Sequence, residues 1–228
     1  MSAPAADTVE VEPRGTADAA IVWLHGLGAD AHDFEPLVPE LDLSPDASVR
    51  FVFPNAPVRQ VTINAGHRMR AWFDVAGFDR RSPQDEQGIR ESHAAIAALV
   101  ARERARGIGP ARILVAGFSQ GGAMALFSGL RSPERLGGVV ALSSYLPLAG
   151  TLQAEAHPAN AGLSVFMAHG TFDPIVPMTL GEASRDALRG QGFAVEWHGY
   201  PMPHSVSAEE VADLRRFLLS VLRRAPKP

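Results

Sequence analysis

The stretch VAGFSQGGAMAL, Val115 to Leu126, decides the fold. An apolar run enters the cluster Gly117-Phe118-Ser119-Gln120-Gly121-Gly122 and leaves it as Ala-Met-Ala-Leu. The pattern predicts a strand that turns directly into a helix, with one serine at the join. Two readings are open for that serine: a residue in an ordinary glycine-rich helix entry, or a nucleophile held on a strained turn.

Working outward, short continuous apolar runs recur: Ala19–Leu24, Val49–Pro54, Arg112–Gly117, Gly138–Ser144 and Leu163–Gly170. Ala194–Pro201 alternates more. Unbroken apolar strands suit a sheet buried on both faces. Helical periodicity is expected over Ile89–Arg104, after Ser119, over Thr179–Gly190 and over Ala208–Arg223. Alternation of strand and helix predicts one α/β domain spanning 1–228, with a mostly parallel central sheet and helices on both faces. Residues 59–87 break the rhythm with a long connection of mixed polarity and a hairpin signal at Ala65-Gly66. Connections of that length tend to be functional. The tail RRAPKP, Arg223 to Pro228, is expected to fray.

The totals narrow the function. The chain has 228 residues, a formal net charge of -4, 46% hydrophobic residues and no cysteine. A slightly acidic balance gives no support to a nucleic-acid partner or an anionic membrane surface. Without cysteine there is no disulfide, thiolate metal site or thiol nucleophile. The opening MSAPAADTVEVEP has neither a basic start nor an apolar core, and no apolar run reaches membrane-spanning length, so a cytoplasmic location without permanent membrane association is expected. The eight histidines show no metal-ligand spacing, and no dinucleotide or phosphate-loop signature is present.

Gly117-Phe118-Ser119-Gln120-Gly121 fits the Gly-x-Ser-x-Gly nucleophile elbow, and its strand-to-helix setting is the context that motif requires. A serine hydroxyl needs a base, and the base needs an orienting acid. In strand–helix hydrolases these follow in the order Ser, acid, His. Asp173 sits in the turn after a predicted strand, in HGTFDPIVP, and His204 follows the last predicted strand, in YPMPHSVS. Taken singly, Asp173 is a common turn residue and His204 an ordinary loop histidine; order and strand-end placement together make them the candidate acid and base. Asp186, His198 and His169 are weaker rivals, placed in a helix, in a strand and before the Asp173 turn. Oxyanion donors are expected from the backbone N–H groups of Gln120, next to the serine, and of Leu27, in the glycine-rich loop of WLHGLGAD.

Five motifs in order, VWLHGLGAD, VTINAGHRMRAWFD, AGFSQGGAMAL, HGTFDPIVP and YPMPHSVS, resemble the α/β-hydrolase family of bacterial carboxylesterases and acyl-protein thioesterases, the phospholipase/carboxylesterase group. The likeness runs from about Ala19 to the terminal helix. It implies the α/β-hydrolase fold, hydrolysis of a small-molecule carboxylic ester, thioester or lysophospholipid, no cofactor, and a weak homodimer. It places nucleophile, acid and base on Ser119, Asp173 and His204, and the oxyanion amides on Leu27 and Gln120. It also puts Trp72 of MRAWFD on the acyl pocket, with Phe73 and Phe78 nearby. One departure is visible: the residue before the catalytic histidine is usually Gly in this family and is Pro203 here.

Overall fold

Strand Ala19–Leu24 is buried at every residue, and its side chains divide by parity between two cores. Ala20, Val22 and Leu24 enter one core; Ala19, Ile21 and Trp23 enter the other. This is the period-2 geometry of a strand with no solvent-facing side. The computed structural model describes residues 7–44, 46–78 and 82–225. Its main sheet holds β1 (Thr8–Val11), β2 (Ala19–Leu24), β3 (Val49–Pro54), β6 (Ile113–Phe118), β7 (Gly138–Leu142), β8 (Ser164–Gly170) and β9 (Ala194–Tyr200). A separate antiparallel hairpin pairs β4 (Val58–Val61) with β5 (His67–Arg70).

The strand order is β1-β3-β2-β6-β7-β8-β9. Every neighbouring pair is parallel except β1 with β3. The helices are α1 (Leu37–Leu41), α2 (Glu86–Ala105), α3 (Gln120–Leu130), α4 (Leu152–Glu155), α5 (Met178–Gly190) and α6 (Ala208–Arg224). Ile89, Ile96 and Leu99 of α2 and Leu188 of α5 pack with α3 on one face; Leu41 of α1 and Leu214, Phe217 and Leu218 of α6 pack on the other. This is the α/β-hydrolase architecture expected from the alternation of elements. Helix α3 is buried at every position, so it has no polar face and owes its place to packing rather than amphipathicity.

The expected strands and helices lie where the apolar runs placed them, within a few residues at each end. Strand β1 was not anticipated. Its four residues are all only half-buried, and it is held as an antiparallel edge on β3. Part of the expected long connection at 59–87 (residues 79–81) and the end of the tail (226–228) lie outside the described residues.

Candidate active site

The turn after β6 is tight because two glycines have no room for a side chain. A Cβ on Gly117 would lie 2.3 Å from the carbonyl carbon of Gly121, and one on Gly121 would lie 2.1 Å from the carbonyl oxygen of Leu24. Between them Ser119 takes φ 54 and ψ -119, a region that costs a non-glycine residue roughly 1–3 kcal/mol. The surroundings impose it. The Ser119 N–H donates to the Leu142 carbonyl at 2.8 Å, and the Ser119 carbonyl accepts from Ser144 Oγ at 2.7 Å. Ser119 is 8% exposed and opens onto a cleft of about 530 Å³.

Asp173 and His204 come together from two strand ends. Asp173 follows β8, and its Oδ1 accepts the N–H groups of Ile175 at 2.8 Å and Val176 at 2.9 Å. These bonds fix the carboxylate so that Oδ2 accepts from His204 Nδ1 at 2.6 Å. The side chain of Asp173 is fully buried, while His204 lines the same cleft as Ser119. The approach of the two loops depends on Gly170, where a Cβ would lie 2.4 Å from the carbonyl oxygens of Met202 and Pro203. Pro203 is exposed at this turn, and its carbonyl accepts the Ser205 N–H at 2.9 Å. The Phe118 ring packs on the His204 imidazole with centroids 4.6 Å apart.

Asp186 and His198 are engaged elsewhere, whereas His169 lies beside the site with its Nε2 3.5 Å from Asp173 Oδ2. Asp186 is exposed and bonded to Arg185; His198 bonds to Glu196. His169 is buried, its Nε2 donates to the Val176 carbonyl at 2.9 Å, and burial holds its pKa below the ordinary histidine value.

The loop after β2 is shaped by His25. Its Nδ1 donates to the Gly26 carbonyl at 2.7 Å, leaving Nε2 to accept the Ala56 N–H at 3.0 Å. Burial lowers its pKa, against the opposing effect of the Gly26 bond, and keeps the ring neutral for that double role. Gly28 has φ 80, open to glycine at no steric cost, and its N–H donates to the Arg70 carbonyl of the hairpin at 2.9 Å. The Leu27 N–H between them donates to no described residue. The Gln120 N–H belongs to the first turn of α3, whose amides have no partner within the helix. Both residues line the cleft.

Trp72 is in a different place from the one the resemblance implied. It is 2% exposed, packs within the core, and does not line the cleft. The reason is polar: a buried indole N–H needs an acceptor, and Trp72 Nε1 finds the His25 carbonyl at 2.9 Å. Its backbone joins a clamp in which Gln120 Oε1 accepts the Trp72 N–H at 2.8 Å and Gln120 Nε2 donates to the Phe73 carbonyl at 2.7 Å. The cleft's aromatic wall is instead Phe78 against Tyr145, edge to face with centroids 5.9 Å apart. Both rings also line an adjoining cavity of about 290 Å³. Tyr145 follows β7 in an SSYLP turn that carried no recognisable signal; only its strand-end position marked it.

The assembled groups suit acyl transfer: a hydroxyl on a strained turn, an imidazole oriented by a buried carboxylate, and two backbone amides on the cleft wall with no partner among the described residues. Comparisons with known proteins agree. The family model described as phospholipase/carboxylesterase matches residues 6–222. Acyl-protein thioesterase 1 of Mycosarcoma maydis is 38% identical, over 94% of this chain and 97% of its own length. Acyl-protein thioesterase 1 of Neurospora crassa is 39% identical, over 92% and 88%. The crystal structure of acyl-protein thioesterase 2 of Zea mays superposes with a TM-score of 0.83 at 33% identity, covering 95% of this chain and 99% of that one.

Proposed function

Because the chain belongs to the phospholipase/carboxylesterase family of α/β-hydrolases, a group of serine hydrolases acting on carboxylic esters and thioesters, we propose that Ser119, His204 and Asp173 perform the hydrolysis in two acyl-transfer steps. The single observation that carries this assignment is the buried Asp173–His204 bond at 2.6 Å opening onto the cleft that also holds Ser119. The substrate carbonyl oxygen lies against the N–H groups of Leu27 and Gln120. His204 takes the Ser119 proton as Oγ attacks, and Asp173 stabilises the imidazolium. The tetrahedral intermediate collapses, the alkoxide or thiolate leaves with the proton from His204, and water repeats the sequence on the acyl-enzyme. Ser119→Ala abolishes ester cleavage and labelling by a fluorophosphonate while leaving the unfolding midpoint near wild type. Asp173→Asn lowers kcat about 10³-fold or more, because the imidazole loses its tautomer and orientation. A mild loss would assign the acid elsewhere.

A long-chain acyl substrate, thioester or lysophospholipid, is the second reading. It is favoured by the adjoining cavity that shares Phe78 and Tyr145 with the cleft, and by the names of the thioesterase relatives. The kcat/KM on p-nitrophenyl esters from acetyl to palmitoyl separates the two: a short-chain maximum supports a general carboxylesterase, a long-chain maximum an extended acyl groove.

A further inference from the structure

The cleft is chemically lopsided. Apart from His204 and Tyr145, Asp33 is the sole titratable side chain among the described residues that line it, and neither arginine nor lysine is among them. Neighbouring acids are already committed: Asp30 Oδ1 accepts the His32 N–H at 2.8 Å, Asp74 accepts from the Thr62 N–H and hydroxyl, and Asp85 caps α2 through the Gly88 N–H. The Asp33 carboxylate makes no hydrogen bond or ion pair with a described residue. Desolvation by the surrounding protein, with the Asp30 charge adding to it, raises its pKa above the ordinary aspartate value. Asp33 is an exposed residue on the cleft wall, and a carboxylate there without a counter-ion attracts a cation carried by a substrate.

Its position decides which part of a substrate would meet it. The His204 imidazole packs on Phe118, and Phe118 packs on Phe34 with centroids 5.6 Å apart, so the residue next to Asp33 is two rings away from the base. His204 delivers its proton to the departing alcohol or thiol, which puts the leaving group next to this base. The Phe78–Tyr145 wall, with its adjoining cavity, forms the apolar remainder.

We propose that Asp33 is a specificity-determining residue for the leaving group, selecting esters or thioesters whose alcohol or thiol carries a cationic group, such as a quaternary ammonium, a primary amine or a guanidinium. The assignment rests on the hydrolase reading above. Attraction between one carboxylate and one cation in a partly hydrated cleft gives roughly a fivefold preference.

The test compares S-butyrylthiocholine with its uncharged carbon isostere, S-(3,3-dimethylbutyl) thiobutyrate, with thiol release followed by a chromogenic disulfide. The quantity read is the ratio of kcat/KM for the two, so effects common to both substrates cancel. The wild type favours the cation at least about fivefold at low salt, and the ratio shrinks as salt screens the pair. The more acidic thiocholine is intrinsically the better leaving group, so the change in ratio is what reports on Asp33: Asp33→Asn lowers it about fivefold from the wild-type value, and Asp33→Lys lowers it further. A wild-type ratio of one or below, or an Asp33→Asn variant that keeps the wild-type ratio, overturns the assignment to Asp33 while leaving the hydrolase reading intact. Failure of the wild type to cleave either thioester, with turnover no higher than Ser119→Ala, overturns the hydrolase reading and the specificity with it.

Discussion

Gln120→Glu is the substitution whose consequences the structure defines most sharply. The carboxamide is 4% exposed and works in both directions, accepting from the Trp72 N–H at 2.8 Å and donating to the Phe73 carbonyl at 2.7 Å. A glutamate has the same shape. Protonated, it makes both bonds; ionised, it sets an acceptor against the Phe73 carbonyl and has nothing to donate. The native state therefore keeps the proton, and the glutamate pKa in the fold rises above its unfolded value. By linkage the variant matches wild type below the ordinary glutamate pKa and loses stability as pH climbs toward the raised folded value. Holding the proton at pH 7 against an unfolded pKa of about 4.3 costs roughly 2.7 pH units times 1.36 kcal/mol, or about 3.7 kcal/mol. Urea unfolding of both proteins at pH 4.5, 5.5 and 7 reads this directly. The gap should open from under about 1 kcal/mol by roughly 1.4 kcal/mol per pH unit. Activity should fall over the same range, because the clamp ties the start of α3 to the segment that braces the His25 loop. A gap that does not change with pH would refute the two-way clamp.

Glu210 is fully buried with neither carboxyl oxygen hydrogen-bonded to a described residue, and burial pushes its pKa up to about 8. Since the folded pKa exceeds the unfolded one, wild-type stability declines as pH rises between them; Glu210→Gln should gain about 1–3 kcal/mol at pH 8 and nothing near pH 4, as read by denaturant midpoints. Gly170→Ala places a Cβ 2.4 Å from the Met202 and Pro203 carbonyls, so it should displace the His204 loop and lower kcat/KM at least tenfold, with a destabilisation of about 1–3 kcal/mol in thermal unfolding. Burial lowers the pKa of His25, His93 and His169, so below pH 6.5 the unfolded chain binds protons that the native one refuses. Stability is therefore full above that value and falls with pH beneath it, and His93→Gln should make the decline shallower in urea titrations at pH 5 to 7. Pro203→Gly should cost about 1 kcal/mol or less through unfolded-chain entropy and leave kcat/KM within about threefold, since the turn is exposed and needs no N–H at that position.

What could be read directly in the sequence was whatever depends on local pattern. Largely apolar runs marked β2, β3, β6, β7 and β8 because a strand covered on both faces has few polar positions to interrupt it. The glycines around Ser119 marked a close backbone approach, and strand-end placement drew attention to Asp173 and His204. What a side chain touches after burial was not legible. Trp72 reads as a pocket aromatic from its motif, yet its indole N–H had to find a buried acceptor, and the His25 carbonyl lay within reach only once β2 and residue 72 had been brought together. Phe78 and Tyr145, 67 positions apart in the chain, form one wall because two separate connections meet over the sheet. Asp33 is unremarkable in a row of acidic loop residues; only its neighbours' committed hydrogen bonds distinguish it. The sequence by itself determined the layering of the fold and the candidate chemistry, because hydrophobic period and glycine sterics act between near neighbours. The tertiary structure alone decided the walls and charge of the cleft, because those depend on which distant residues satisfy, or leave unsatisfied, each buried polar group.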